Sequence, residues 1–301
     1  MGTPEFAVPS LQILVQNQYP VVAVVTAPDK PAGRGLQAST SAVKGFALAH
    51  GIPVLQPDRL KAPEFLDRLR SCQADLQVVV AFRMLPEAVW AMPPLGTFNL
   101  HASRLPQYRG AAPINWVLIN GESETGVTTF FLQHEIDTGN IIFQEKEPIY
   151  EGDDAGSLYE RLRHKGASLV LKTVQAIEHR TYPQVPQRAE SNIRLAPKIF
   201  KEDCQIHWNQ PVRAVQNFVR GLSPYPTAWT LVNGKVCKIY RTRIVVDTAV
   251  DDLPAGQFVT DNKTFLHFKA ESGRLAVEEL QMEGRKRLGI EAFLRGNVLI
   301  P

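Results

Sequence analysis

Asn99-Leu100-His101-Ala102-Ser103 and, further along, Ile136-Asp137-Thr138-Gly139 hold the side chains of this chain best suited to chemistry. An Asn amide can donate to an oxyanion, a His can move a proton near neutral pH, and an Asp can orient and polarise that His. These are the parts needed to pass an acyl or formyl group to an amine. Their separation along the chain is no obstacle if they stand at strand ends and loops of one α/β sheet, because strand ends converge on one crevice. The same residue types also have an ordinary use, as a hydrogen-bonded loop His and an Asp-Thr-Gly turn.

The flanking sequence reads as such a sheet. Thr97-Phe98-Asn99-Leu100 is a buried strand carrying the first cluster, and the run 127–132 is a strand leading to the second. Runs 20–26 and 76–81 are almost continuously apolar, as befits parallel strands covered on both faces. Helical spacing at 43–50 (stopped by Gly51), 63–71 and 155–178 alternates with strands, including a short one at 53–55. That alternation predicts a Rossmann-like, mostly parallel sheet over residues 1–180. Residues 181–200 have linker composition, with Pro183, Pro186 and Pro197 and no apolar period. In 201–301, Val212, Val215, Phe218 and Val219 mark a helix ended by Gly221. Five alternating runs follow at 228–232, 236–246, 256–259, 265–268 and 275–280, which predict a small OB-like β-barrel.

The start of the chain is irregular. Gly2-Thr3-Pro4 reads as a glycine turn opening a helix, yet only Met1 precedes it. A doubly wound sheet requires a strand there, apparently missing from this sequence. Three to five buried apolar side chains in such a strand would contribute about 5–15 kcal/mol, as much as a domain's net stability. The expectation is therefore a natural product longer by about 5–12 mostly β-branched, apolar residues.

Composition narrows the classes. The 301 residues suffice for two domains. No apolar run approaches a membrane span, and the N-terminus lacks the order of a signal peptide. Cys72, Cys204 and Cys237 are scattered and read as thiols of a reducing cytoplasm, not as disulfides or zinc ligands. No His-Glu-x-x-His or carboxylate cluster points to a catalytic metal, and the absence of Gly-x-Gly-x-x-Gly argues against a dinucleotide. The formal net charge is +3, but from Lys198 onward there are about 15 basic and 11 acidic residues, about +4, against about −1 for the rest. This is either a normal solvated surface or a weak electrostatic footprint for a polyanion.

The stretch Phe98-Asn99-Leu100-His101-Ala102-Ser103-Arg104-Leu105-Pro106-Gln107-Tyr108-Arg109-Gly110-Ala111-Ala112-Pro113 resembles the signature of the folate-dependent formyltransferases. With Gln133-His134-Glu135-Ile136-Asp137-Thr138-Gly139-Asn140-Ile141-Ile142 it is most similar to the branch that acts on charged initiator tRNA, and the resemblance runs from Gly2 nearly to the C-terminus. It implies transfer of the formyl group of 10-formyltetrahydrofolate to the α-amine of methionyl initiator tRNA, by a cytoplasmic and monomeric enzyme of translation initiation without a metal. It assigns catalysis to Asn99, His101 and Asp137. It assigns folate contacts to Phe82, Arg83, Met84 and Leu85 and to Ser103, Arg104, Leu105 and Pro106. It assigns tRNA contacts to Lys30 and Arg34 in the loop Asp29-Lys30-Pro31-Ala32-Gly33-Arg34-Gly35, and to the barrel. Arg104 stands where the family pattern has Leu, and such a cation could extend into solvent. A small amine acceptor, such as an amino sugar or glycinamide ribonucleotide, and a non-catalytic RNA-binding role are the alternatives. The intact Asn99, His101 and Asp137 argue against the last.

Overall fold

The computed structural model describes residues 1–32, 37–187, 192–246 and 253–300. The chain forms two compact units, one of Met1–Gly110, Thr125–Glu147 and Tyr159–Leu195, the other of Ala111–Glu124, Pro148–Leu158 and Ala196–Pro301. No helix among the described residues is long and apolar enough to cross a membrane.

In the first unit, Val24–Val25 pairs in parallel with Val54–Leu55, and Gln77–Val80 in parallel with Thr97–His101. Glu124–Phe131 then runs antiparallel to Thr97–His101, with Ile141–Pro148 on its far side. Met1 and Gly2 lie between the two parallel pairs. The Met1 amine donates to the Val78 carbonyl at 2.6 Å, and Val80 N–H donates to the Met1 carbonyl at 2.9 Å. Gly2 N–H donates to the Val25 carbonyl at 3.0 Å, and a Cβ at Gly2 would stand 2.7 Å from the Val80 carbonyl oxygen. Met1 and Gly2 thus bridge the two parallel pairs through backbone hydrogen bonds, where the sequence reading expects a strand. Beside them is a cavity of about 510 Å³ bordered by Leu14, Val22, Val24, Leu76 and Val78.

Helices cover this sheet where their apolar spacing allows. Pro63–Ser71 begins on a proline, whose missing N–H costs nothing in a first turn. It buries Phe65 and Leu69, one turn apart, against Val25, Leu55, Val79 and Val89, worth about 1.5–3 kcal/mol for each side chain. Ala155–Glu178 buries Leu162, Leu169 and Val170. Its Gly166 faces Leu100 so closely that a Cβ would meet the Leu100 side chain at 2.6 Å. Phe98 and Leu100 therefore belong to the covered face of Thr97–His101, and strand alternation turns Asn99 and His101 to the other.

The same helix carries Arg161 and Lys165, whose cations reach Glu147 at 2.7 and 3.0 Å. Burial pushes the Glu147 carboxyl up, but the hydrogen bonds from Arg161 and Lys165 outweigh it and hold it below its ordinary value. A lowered carboxylate pKa contributes stability that is present above the unfolded value and is lost as pH falls through the folded one. Glu147→Gln should lower stability at neutral pH by about 1–3 kcal/mol. It should also flatten the acid limb of a urea-midpoint-against-pH curve. An unchanged acid limb in this variant would remove Glu147 from the account.

In the second unit, the strands follow the order Ala228–Val232, Lys235–Val245, Gly273–Met282, Leu266–Ala270, Phe258–Thr260. Among the described residues the first and last of these do not pair with each other, so the sheet is a curled half-barrel. Strand pairing alone does not complete its core. Val215, Val219 and Leu222 of the helix Val212–Leu222 join Ile239, Phe268, Leu275 and Leu280 there. The helix ends at Leu222, one residue past the glycine that marked its end in the sequence. Gly221 also meets a second requirement, because a Cβ there would come within 2.7 Å of Ile119 and 3.0 Å of the Asn115 carbonyl. A register shift between Ile239 and Thr242 keeps Arg241 and Arg243 outward, both reaching Glu278.

Candidate active site

Asn99 and His101 stand two residues apart on the face of Thr97–His101 that Gly166 leaves uncovered. Phe98 and Leu100 anchor the strand from the opposite face, at 0% and 3% exposure. No hydrogen bond is described for the Asn99 amide, which is half-buried and available to a ligand. His101 is buried, and its Nε2 lies 2.8 Å from the Tyr108 carbonyl oxygen. A carbonyl can only accept, so Nε2 carries a proton, and in the neutral imidazole Nδ1 is then the nitrogen with the lone pair. Nδ1 faces Asp137 Oδ2 at 3.8 Å. That is too long for a hydrogen bond, yet close enough for the carboxylate to stabilise an imidazolium once Nδ1 has taken a proton.

Asp137 is fixed through its own contacts. Its Oδ2 accepts the Gly110 N–H at 3.0 Å. Its backbone is left-handed, with φ 55°, a conformation that Asp tolerates better than most residues. Two residues on, Gly139 passes so close to Glu124–Phe131 that a Cβ would collide with the Phe131 carbonyl. The Asp-Thr-Gly turn is thus pressed against the neighbouring strand, and its glycine is required by close approach.

The eight residues expected around folate are placed unevenly. Phe82 and Leu85 join the apolar cluster of Val79 and Val89, while Met84 is 73% exposed. Arg83 donates to the carbonyls of Pro57 and Asp58 at 2.8 and 3.1 Å and lies over the Phe82 ring. Ser103 and Leu105 are enclosed. The Ser103 hydroxyl donates to the Gln107 carbonyl at 2.6 Å, and Thr128 bridges the Ser103 carbonyl and the Leu105 N–H. Pro106 is half-buried. Arg104 does not simply extend into solvent: its Cγ lies over Gly126 and its Nε is shielded. The enclosed members can shape a ligand pocket but not face it. Apolar surface at Phe82 and Met84, beside the end of the strand Gln77–Val80, suits a flat heterocycle. None of the three candidate catalytic residues borders the 510 Å³ cavity described above.

Lys30 opens a short hairpin, Lys30–Ala32 with Gln37–Ser39, while Arg34 lies outside the described residues. The hairpin's base is tied down at Asp29, which pairs with Lys44 and accepts from Gln56 at 2.9 Å. Hydrogen bonding to Lys44 and then to Gln56 holds the Asp29 carboxyl below its ordinary value.

Residues 1–174 match the family described as formyl transferase, and residues 198–298 match the formyl transferase C-terminal domain. The chain belongs to the formyl transferase family. A methionyl-tRNA formyltransferase of Bacteroides fragilis is 54% identical, over 98% of this chain and 93% of the relative. Another, of Porphyromonas gingivalis, is 48% identical over 99% and 95%. Among solved structures, an N-formyltransferase of Helicobacter canadensis, in complex with folinic acid and dTDP-3-aminofucose, shares the fold. Its TM-score is 0.66 at 21% identity, over 95% of this chain and 97% of that one.

Sequence reasoning missed several groups that hold this formyl transferase's site together. Gln187 donates to the carbonyls of Asp137 and Gly139 and accepts from Arg109. Arg194 N–H donates to Gln107 Oε1, and its carbonyl accepts the Tyr108 N–H. Val185 pairs with Ile141 through two backbone hydrogen bonds. All three residues lie in the stretch whose composition reads as a linker. Nothing in that composition marks them, because polar residues between prolines look alike whether they bond to water or to a site.

Proposed function

We propose that this formyl transferase moves the formyl group of 10-formyltetrahydrofolate to the α-amine of methionyl initiator tRNA. The observation that carries the chemistry is the placement of His101 Nδ1 against Asp137 Oδ2, with the Asn99 amide on the same strand face. Attack of the amine on the formyl carbon places negative charge on the formyl oxygen and positive charge on the amine nitrogen. Asn99 donates to the oxygen. His101 accepts the amine proton at Nδ1, and Asp137 stabilises the resulting cation. The bond from the formyl carbon to N10 of the folate then breaks, with a proton delivered to N10. Phe82, Arg83, Met84 and Leu85, with the loop Ser103, Arg104, Leu105 and Pro106, form the folate side of the site. Names of relatives about half identical over nearly the whole chain support the tRNA acceptor.

In this reading residues 1–180 perform the transfer, 181–200 connect while also bracing the site through Val185, Gln187 and Arg194, and 201–301 contact tRNA. The protein acts as a cytoplasmic monomer. Lys30, Arg34 and outward cations such as Arg241 and Arg243 meet phosphates. Each phosphate contact releases condensed counterions, so the affinity for charged initiator tRNA should fall log-linearly and steeply with salt. Arg34→Ala should impair transfer to charged tRNA more than transfer to a small amine. A filter assay of labelled formyl on charged initiator tRNA, with glycinamide ribonucleotide in parallel, tests the acceptor. Formylation of the nucleotide alone, or a flat salt dependence, would sink this reading.

A further inference from the structure

We infer that Gln187 is a positioning residue for formyl transfer, holding the Asp137 loop in its reactive shape; this rests on Asp137 acting in catalysis. Its amide is used at both ends. Nε2 donates to the Asp137 carbonyl at 2.7 Å and to the Gly139 carbonyl at 2.9 Å. Oε1 accepts from Arg109 Nη2 at 2.6 Å and Nε at 3.2 Å. An amide turned the other way would set its oxygen against two carbonyls and its N–H groups against a guanidinium, so this orientation is fixed.

The carbonyls it binds flank Thr138, in the turn that holds Asp137 at φ 55°. A left-handed non-glycine residue carries some strain even where Asp tolerates it, and is held by its surroundings. Gly139 against Phe131 fixes one side of the turn, and Gln187 draws both carbonyls together on the other. Arg109 adds a second link, because the next residue, Gly110, donates its N–H to Asp137 Oδ2. One glutamine thus ties the backbone of the Asp137 loop to the segment that receives its carboxylate. Without it the turn can relax toward an ordinary φ, carrying Oδ2 away from His101 Nδ1. The gap of 3.8 Å leaves little room for such movement.

The test compares Gln187→Ala, Gln187→Glu and Asp137→Asn, alone and combined, in the full chain. Glu retains acceptors for Arg109 but has no N–H for the two carbonyls. We expect both Gln187 variants to lose about tenfold in kcat, the scale of a small misplacement of a catalytic group. KM for folate and for charged tRNA, and the melting temperature, should be nearly unchanged. Adding Gln187→Ala to Asp137→Asn should cost nothing more, because the clamp acts only through Asp137. Full kcat in Gln187→Glu, or a further loss in the double variant, would overturn the inference while leaving the site reading intact. A fall in melting temperature that accounts for the lost activity would overturn it as well. Near-normal activity in Asp137→Asn would instead overturn the reading of the site on which the inference rests.

Discussion

His101→Ala lowers formyl transfer to charged initiator tRNA by about 100-fold or more, because the proton acceptor is lost. The expectation rests on one nitrogen. Tyr108 occupies Nε2, so only Nδ1 is open to the attacking amine, and only Nδ1 faces Asp137. The loss should appear in kcat, since an Nδ1 that receives its proton during reaction does little for ground-state binding. Asp137→Ala should act in the same step and on a similar scale, about 100-fold, because the cation formed at His101 would lose its carboxylate. The two changes together should fall well short of the product of their separate effects, as groups acting as a unit do. His101 is buried and bonded to the loop that follows it, so its removal could also loosen that loop. His101→Gln provides the control, since a side-chain amide can still donate to the Tyr108 carbonyl but cannot take up a proton. Restoration of activity by Gln, or near-normal transfer in either Ala variant, would remove His101 and Asp137 from catalysis.

Asn99→Ala should cost about 100-fold in kcat by removing a donor to the formyl oxygen, the usual scale for one such donor. Asn99 is well suited to a clean experiment. It is half-buried, its amide has no described protein partner, and the strand on either side is held by Phe98 and Leu100 in the core. Its removal should therefore leave the melting temperature close to that of the parent. Asn99→Asp sharpens the test. It is nearly isosteric, yet it sets a carboxylate against an oxygen that gains negative charge, so its loss should equal or exceed that of Ala. If Asp were better tolerated than Ala, the group at this position would be serving the amine and not the oxyanion.

How far the chain could be read in advance differed by element. Pro63–Ser71 and Ala155–Glu178 follow their apolar spacing residue for residue, because an amphipathic stripe is buried the same way whatever it packs against. The strand Thr97–His101 and its two polar residues were equally legible, since alternation fixes which side chains share a face. Two glycines mark where this stops. Gly221 reads as a helix end, which it is to within one residue, but it is also a point of close helix–helix contact that the sequence does not show. Gly139 reads as an ordinary turn glycine, and is instead pressed against a neighbouring strand. In both cases what matters is a backbone distant in sequence, which residue type does not disclose.

The sequence by itself determined the alternating sheet and helices, the family signature around Asn99, His101 and Asp137, and the division into a near-neutral first part and a basic second part. Those properties follow from local spacing and composition. Tertiary structure alone decided that Nε2 of His101 is taken by a carbonyl seven residues on, leaving Nδ1 for the chemistry. It alone decided that Ser103 and Leu105 are enclosed and that Gln187 reaches back fifty residues to hold the Asp137 turn. A hydrogen bond depends on direction and on a distance of about 3 Å, and only the folded chain sets these.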